Sequence, residues 1–434
     1  MRRCDDLINR KALSLKTNAP EILPLTETRT PADQADLVSA MKDAFAAGTP
    51  VYPLGGCTSL DYGLPARQPG LGLSLTGLNR LVDYPARDMT ITVEAGVRLA
   101  DLANILAGER QWLPVEGPQP DATTIGGLVA TAWSGPRRYG WGTMRDFVIG
   151  VSAVDGRGVP FKGGGRVVKN VAGYDFCKLL TGSCGTLAVI TQVTLKLRPL
   201  PERSVLAACT VRDLDHAERL LAALVNTATT PSAIELLIGP QWRDDPALPP
   251  LPAGALGRLV VGIEGTSAEV DWMTRTLQQE WRDQSAEGFH IVSDAPSSNA
   301  ECPAAALWRR LRDFSTGPAD LVLKASLPPS GVCAFVAKLL ATSPGVNIQS
   351  HAGNGILIAS FPTFAAANLS KTLIGDLQPA AAACGRLTVL SSGIGELTHQ
   401  SVWGGVGPSL PWMQRVKEQF DPRGLLNPDR FAHA

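Results

Sequence analysis

The sequence has 434 residues, of which 44% are hydrophobic and 18% are charged, and its 40 basic and 40 acidic side chains give a formal net charge of zero. This composition supplies enough apolar material for two or three packed domains and excludes an intrinsically disordered chain. The balanced charge gives no electrostatic reason to expect a nucleic acid or an anionic membrane surface as a partner.

The N-terminal stretch MRRCDDLINRKALSLK is too charged for a signal peptide, and no run of about 18 apolar residues predicts a transmembrane helix. Eight cysteines are scattered without any CxxC spacing. This pattern predicts free thiols in a reducing cytoplasm, with no disulfide framework, zinc site or iron–sulfur cluster.

Residues 1–29 have no clear periodicity, and a helix is predicted after them. We expect Thr30 to be its N-cap, Pro31 its first residue and Gly48 its C-terminal stop. The strand PVYPL follows, and a Gly-Gly loop comes directly after that strand.

Alternating and helical patterns continue the first half of the chain. MTITVEAG predicts a strand and VRLADLANILAGER a helix, whereas residues 147–162 predict a hairpin that turns at Asp155 and Gly156. The strand GTLAVITQVTLKLRPLP ends in Pro199 and Pro201. A domain boundary is predicted there.

The second half has a β-α-β-β-α-β order that occurs twice, the second time over residues 320–391, with helices expected near 330–341 and 363–376. Two such units suggest a ferredoxin-like pair that pools its strands into one sheet covered by helices. The predicted organisation comprises an N-terminal extension, a first domain, a second domain, and a C-terminal helix with a tail: 1–29, 30–201, 202–400 and 401–434.

Common catalytic and nucleotide motifs are missing: no GxGxxG opens a helix, and GxxxxGK[ST], HExxH and GxSxG do not occur. Four glycine-rich stretches remain, at 53–59, 117–140, 163–175 and 182–190. The first, PLGGCTS, permits three interpretations: a tight turn, a phosphate cradle or a nucleophilic thiol. Taken together, the four stretches favour a cradle, because backbone amides left bare by small residues bind anions.

The order of these stretches resembles the FAD-linked oxidases of the vanillyl-alcohol-oxidase and PCMH type. The elements that carry the likeness are PxGGxTS, TIGG followed by SG, GYD and GSxGTLxVI. SGPRRYGWGTMRDFVIG and VVKNVAGYDFCKLLTGSCGTLAVIT are especially similar to the FAD-binding E subunits of bacterial glycolate oxidases. The match covers roughly residues 30–201, the terminal FDPRGLLNPDRF is similar to the family's closing motif, and residues 202–400 match only in general organisation.

The resemblance implies an α+β fold: a PCMH-type FAD-binding domain of two subdomains, a ferredoxin-like α+β cap domain and a C-terminal helix. It implies non-covalent FAD lying extended between the two subdomains. The residues that it places against FAD are Pro53, Leu54, Gly55, Gly56, Cys57, Thr58, Ser59, Pro118, Asp121, Ala122, Thr123, Thr124, Gly126, Gly127, Thr131, Ala132, Ser134, Tyr139, Cys184, Gly185, Thr186, Val189 and Ile190.

Cys57 stands where some relatives carry a histidine that bonds covalently to the flavin, so that histidyl link is impossible here. A flavin thioether and a nucleophilic thiol are both disfavoured, since no His or Lys neighbours Cys57 in sequence to lower its pKa. Packing beside the dinucleotide is the favoured interpretation.

Candidate catalytic residues are few. Arg137 and Arg138 have two interpretations. They are a solvated loop pair, or one of them lies near the flavin and holds a substrate carboxylate or stabilises the negative charge of the reduced flavin. Lys169 has the same two interpretations. SHAGNGILIAS resembles the metal-binding HxGDGNxH element of catalytic relatives, but Asn354 replaces the aspartate and Ile358 stands near the second histidine. We therefore expect no metal, and His351 is either an acid–base residue near the substrate or structural.

The expected function is that of the FAD-binding subunit of a glycolate-type dehydrogenase of small 2-hydroxy acids. The resemblance implies a second flavoprotein subunit and an iron–sulfur subunit as partners, and a cytoplasmic location, at most peripheral at the inner face of the plasma membrane through those partners. One alternative is a FAD-binding subunit of the same complex that serves assembly or electron relay without catalysis. Another is a stand-alone oxidase that uses oxygen.

Overall fold

The computed structural model describes residues 22–165, 173–292, 294, 302–367, 369–383, 385–394, 397–405 and 407–431. Lys169 and residues 1–21 lie outside the described residues. The strands are β1 Leu25–Arg29, β2 Val51–Leu54, β3 Gly70–Ser74, β4 Leu81–Asp83, β5 Thr90–Glu94, β6 Gln111–Trp112, β7 Val148–Asp155, β8 Pro160–Gly164, β9 Ala188–Lys196, β10 Arg198–Pro199, β11 Arg203–Val211, β12 Ala233–Ile238, β13 Gly257–Gly265, β14 Glu287–Val292, β15 Leu321–Ser326, β16 Asn347–His351, β17 Ile356–Phe361 and β18 Arg386–Ser392.

The α-helices range from single turns to the long helices that cover the sheets. They are Gln34–Ala47, Leu99–Ala107, Ile125–Thr131, Arg138–Trp141, Met144–Phe147, Phe176–Leu180, Leu214–Val225, Pro240–Arg243, Ser267–Asp283, Pro303–Asp313, Val332–Thr342, Gln378–Ala382, His399–Trp403 and Leu410–Phe420. No helix within these described ranges is long and apolar enough to cross a membrane.

The first half of the chain forms two small sheets and an antiparallel pair of the short strands β6 and β10. A parallel sheet has the order β1-β3-β2, and an antiparallel sheet has the order β4-β5-β9-β7-β8. The predicted hairpin is the β7–β8 pair, which turns after Asp155. Leucine, isoleucine and valine side chains of both sheets share one core with the covering helices.

The first long helix begins later than predicted. Its N-cap is Asp33 and not Thr30, because the Asp33 carboxylate accepts hydrogen bonds from the backbone amides of Ala35 and Asp36 at 2.8 and 2.9 Å. The predicted stop at Gly48 is confirmed, with a left-handed φ of 70°.

The two β-α-β-β-α-β units join into one antiparallel sheet of eight strands, in the order β14-β11-β13-β12-β16-β17-β15-β18. The second strand of each unit lies at the centre, where β12 pairs with β16. The helix expected near 363–376 is instead a π-helix, Leu369–Leu377, followed by a short α-helix in which Pro379 supplies no amide hydrogen to the helical ladder.

Alternation along the strands gives this sheet two different faces. Leu321, Leu323 and Ala325 of β15 pack into the core beneath the helices, so Lys324 points to the opposite face. The same alternation puts Glu235 on that opposite face of the sheet. The side chains of Trp308 and Trp133 pack against this face. Polar side chains are thereby directed from the sheet toward the first half of the chain.

Candidate cofactor and substrate site

A groove with an empty volume of about 950 Å³ runs between the loops that follow β2 and the helix Ile125–Thr131. Most of the residues predicted to contact FAD line it. These are Pro53, Gly55, Gly56, Cys57, Thr58, Ser59, Pro118, Thr123, Thr124, Gly126, Gly127, Thr131, Cys184, Gly185, Val189 and Ile190.

Glycine is required in the first loop because the two loops approach closely. A Cβ on Gly56 would overlap the carbonyl of Ala122, and one on Gly55 would overlap the Thr124 hydroxyl. The amides of residues 56–59 donate no hydrogen bond to the described part of the chain. Bare amides on a thin backbone suit the oxygens of a dinucleotide diphosphate, so the residues present fit FAD.

Hydroxyl groups connect the two sides of this cradle. The Oγ1 atoms of Thr58 and Thr123 lie 3.0 Å apart, and the Thr124 hydroxyl caps the following helix by accepting from the Gly127 amide. The hydrogen bond between these two threonines therefore holds the two loops in a fixed relative position.

Two thiols face the groove, and both are protonated at neutral pH. Cys57 and Cys184 have left-handed φ values of 57° and 52°. Burial raises the pKa of Cys57, and burial raises the pKa of Cys184 to about 12. Because a thiolate is the reactive form, this environment supports packing beside a cofactor over nucleophilic chemistry.

Some predicted contact residues do not line the groove. They are Leu54, Asp121, Ala122, Ala132, Ser134, Tyr139 and Thr186. Leu54 is buried against Leu23 on the far side of β2, as its position in an alternating strand requires. The Thr186 hydroxyl is turned inward and donates to the Ser183 carbonyl at 2.7 Å.

The C-terminal turn forms a wall of the groove that we did not predict. Asn427, Arg430 and Phe431 line the groove. The Asn427 amide donates to the Cys184 carbonyl at 3.0 Å, and the Arg430 guanidinium donates to the carbonyls of Leu60, Tyr62 and Leu64. The likeness of FDPRGLLNPDRF to a family motif was the one signal in the sequence that pointed to this turn.

A second, wider cavity continues from the groove and has an empty volume of about 1430 Å³. The two share the segment from Cys57 to Leu60, together with Thr131 and Trp133. Its opposite wall comes from the eight-stranded sheet and includes Lys324. A molecule in this cavity would lie between the cradle loops and the sheet.

Lys324 is a cation without an anionic partner in the described part of the chain. Burial lowers its pKa, and the positive charge of Arg138 lowers it further. Burial also lowers the pKa of Arg138, whose Nε atom is buried without a hydrogen-bond partner. Two incompletely paired cations therefore lie near each other, an arrangement that attracts a carboxylate.

Arg137 has a different environment from its neighbour. Its guanidinium pairs with Glu116 at 2.6 Å and Glu264 at 2.8 Å, and its Cζ lies 3.7 Å from the ring centre of Trp308. Burial alone would lower the pKa of Arg137, but the two carboxylates raise it. With both carboxylates engaged, Arg137 joins the two halves of the chain.

His351 is 2% exposed and lines neither cavity. Its Nδ1 lies 2.8 Å from Glu235, whose other oxygen accepts from the Gln349 amide at 2.8 Å. Burial raises the pKa of Glu235, although His351 and Gln349 oppose that effect. Within the described ranges, no three His, Cys, Asp or Glu side chains form a metal-binding group.

Comparisons with known proteins match this architecture. Residues 28–163 match the model of an FAD binding domain, and residues 200–431, more than half of the chain, match the C-terminal domain of FAD linked oxidases. The mitochondrial D-lactate dehydrogenase [cytochrome] of Arabidopsis thaliana is 27% identical over 92% of this chain and 72% of its own. Glycolate oxidase subunit GlcE of Escherichia coli is 35% identical over 39% of this chain and 48% of its own.

A solved structure of alkyldihydroxyacetonephosphate synthase has the same fold, with a TM-score of 0.68, 15% identity and coverage of 92% of this chain and 75% of that one. These matches confirm the predicted PCMH-type fold and FAD as the cofactor. The chain belongs to the FAD-linked oxidases.

Proposed function

We propose that this chain is a dehydrogenase of 2-hydroxy acids that acts as the FAD-binding subunit of a glycolate-type complex. The observation that carries the proposal is Lys324, a half-buried cation with no anionic partner in the described chain, in the cavity that adjoins the cradle. Such a side chain offers a substrate carboxylate the partner that the protein does not provide.

The residues of the chain would act by binding and orienting the two molecules. The loops at 53–59, 118–124 and 184–190 would hold FAD without a covalent bond. When bound, FAD would supply an acceptor for two electrons and the α-hydrogen. Lys324 would hold the substrate carboxylate so that the α-carbon faces the cradle, and the positive charge of Arg138, which lines neither cavity, would add to the attraction. The acid would give its α-hydrogen and two electrons to that acceptor and its hydroxyl proton to solvent water, which leaves the 2-oxo acid.

The electrons would then pass to partner subunits, a second flavoprotein and an iron–sulfur protein. The sequence supports a need for partners because its cysteines show no spacing for a cluster. The similarity to a glycolate oxidase subunit supports a complex of this kind. In this proposal the chain is cytoplasmic and reaches the membrane only through those partners.

A second candidate function is assembly or electron relay without catalysis. It is favoured by the segment that begins with HAGNG. In this segment His351 is hydrogen-bonded to Glu235, and other residues replace the remaining metal ligands of the related element. In this case FAD would bind, but no 2-hydroxy acid would reduce it.

The test uses the purified chain loaded with FAD. We expect acid precipitation to release all flavin into the supernatant, and anaerobic glycolate or D-lactate to bleach the flavin absorbance, with turnover when an artificial electron acceptor is added. Bound flavin that no 2-hydroxy acid bleaches would favour the second candidate. Reoxidation by air as fast as by the acceptor would favour a stand-alone oxidase.

A further inference from the structure

The second cavity has more polar lining than a glycolate molecule would use. Beyond the lysine wall it is bordered by Ser315, Ser391 and the loop residue Ser59. Ser315 is 7% exposed, and its hydroxyl is buried with no hydrogen-bond partner in the described chain. A buried hydroxyl without a partner costs free energy, so a ligand group that pairs with it would bind favourably.

The charges of this cavity also restrict the ligand. Its described lining carries one cation, Lys324, and one anion, Asp61, which lies in the loop after the cradle. Lys324 suffices for one carboxylate. Asp61 would repel a second carboxylate, but its oxygens accept hydrogen bonds from hydroxyl groups.

We propose that this cavity selects polyhydroxy acids, in which the carbon tail of the 2-hydroxy acid carries further hydroxyl groups. The carboxylate binds Lys324, and the tail hydroxyls bind Ser315, Ser391 and Asp61. This inference rests on the proposed function, whose site it specifies further. It separates the chain from enzymes for glycolate, which has no tail, and from enzymes for 2-hydroxy dicarboxylates.

The first measurement compares D-gluconate, glycolate and D-2-hydroxyglutarate as reductants of the FAD-loaded chain under anaerobic conditions. We expect a kcat/KM for D-gluconate at least about tenfold above either of the others, since each added hydrogen bond contributes up to about tenfold in affinity. Equal or faster reduction by glycolate, or by D-2-hydroxyglutarate, would overturn the inference and leave the proposed function intact.

Failure of all three acids to bleach bound flavin would instead count against the proposed function. Calorimetric titration of the same chain then decides the inference separately, because binding needs no turnover. We expect D-gluconate to bind at least about tenfold more tightly than glycolate. Absence of detectable D-gluconate binding would overturn the selection that we propose.

Two variants locate the effect. Ser315→Ala should lower the D-gluconate to glycolate ratio of kcat/KM about tenfold. Ser232→Ala is the matched control, since the buried Ser232 hydroxyl also has no partner among the described residues but lies outside the cavity, and it should leave that ratio unchanged. The change Asp61→Asn, at an exposed residue, should raise the affinity for D-2-hydroxyglutarate relative to D-gluconate. The assignment would be contradicted if Ser315→Ala left the D-gluconate to glycolate ratio unchanged and Asp61→Asn left the relative affinity for D-2-hydroxyglutarate unchanged.

Discussion

The Lys324 side chain connects the stability of the protein with its proposed activity. Its side chain is half-buried beside the cradle and has no carboxylate partner in the described chain. We expect Lys324→Met to raise the KM for a 2-hydroxy acid about 100-fold, because a charge-assisted hydrogen bond is lost. FAD affinity should not change. Lys371→Met, at an exposed lysine, is the control, and an unchanged KM in the Lys324 variant would rule out its role in carboxylate binding.

The lowered pKa of Lys324 predicts a pH dependence with a defined sign. Burial, and secondly Arg138, lower this pKa below the ordinary 10.5, so the ammonium charge is lost earlier as the pH rises. KM should therefore rise in the alkaline range. Between the lowered pKa and 10.5 the unfolded chain binds more protons, so the free energy of unfolding should increase with pH. Lys324→Met should remove that increase, as urea unfolding at several pH values would measure.

His351 provides a test of structural against catalytic function. Its imidazole is the partner of the buried Glu235 carboxylate. We expect His351→Gln to lower the free energy of unfolding by about 3 kcal/mol, because the buried Glu235 carboxylate loses its imidazole partner and keeps the Gln349 amide. The double change with Glu235→Gln should restore part of that loss. Flavin reduction per folded molecule should stay within about tenfold; a loss beyond about 100-fold would make His351 a catalytic base instead.

At the scale of elements, the C-terminal turn after the helix Leu410–Phe420 closes the groove. The buried Lys417 ammonium donates to Asp421 at 2.7 Å and to the Thr186 carbonyl at 2.8 Å. Asp421 in turn accepts from the amides of Leu425 and Leu426. The turn is thus bonded to the loops that precede β9.

We expect Arg430→Ala to weaken FAD binding about tenfold or more, since its guanidinium donates to three carbonyls of the loop that continues the cradle. Arg423→Ala is the matched control. Arg423 lies in the same turn but bonds the carbonyls of Phe45 and Ala46, away from the groove. FAD dissociation followed by flavin fluorescence distinguishes the two, and equal dissociation constants would show that the turn does not support the cradle.

The elements also show what sequence patterns predict well. Strands with strict alternation, such as β9 and β13, and helices with one apolar face were predicted, as was the pooling of two units into one sheet. The Asp33 cap was missed because Thr30 with Pro31 is an equally good local signal. The loops of the cradle were predicted because glycine marks positions where the backbone conformation, or the close approach of another segment, leaves no room for a side chain.

Residues that meet only through tertiary structure were not predicted. Glu235 pairs with His351 across two strands, and Lys324 reaches the second cavity because of its position on β15. Neither lies in a motif. Arg137 and Arg138 are adjacent in sequence, yet only the positions of Glu116 and Glu264 reveal that Arg137 forms ion pairs, whereas Arg138 forms none with the described residues.

At the scale of the whole molecule, Arg137 joins the first half of the chain to the sheet. Glu116 belongs to the first half and Glu264 to β13, where Ser204 and Trp141 also donate to its carboxylate. Burial alone would raise the pKa of Glu264, but these partners, with Arg137 first, lower it. The contribution of Glu264 to stability is therefore present at neutral pH and is lost as the pH falls through its lowered pKa.

Arg137→Met should leave two buried carboxylates without their cation and lower the free energy of unfolding by about 3–5 kcal/mol. Adding Glu116→Gln and Glu264→Gln should recover part of the lost free energy of unfolding. Arg157→Met, which breaks an ion pair whose arginine side chain is 48% exposed, is the control and should cost less than about 1 kcal/mol. If both arginine variants unfold at the same urea concentration, the ion pairs do not hold the halves together.

The closure of the groove by the C-terminal turn also determines when the site is completed during synthesis. Asn427 bonds a carbonyl 243 residues earlier in the chain, and Arg430 bonds one 370 residues earlier. Strand β2 likewise receives its last backbone partners, at Val51, from Leu425 and Asn427. A ribosome-bound chain can therefore form the cradle loops early, but it acquires the wall formed by the C-terminal turn only after residues 425–431 have left the exit tunnel.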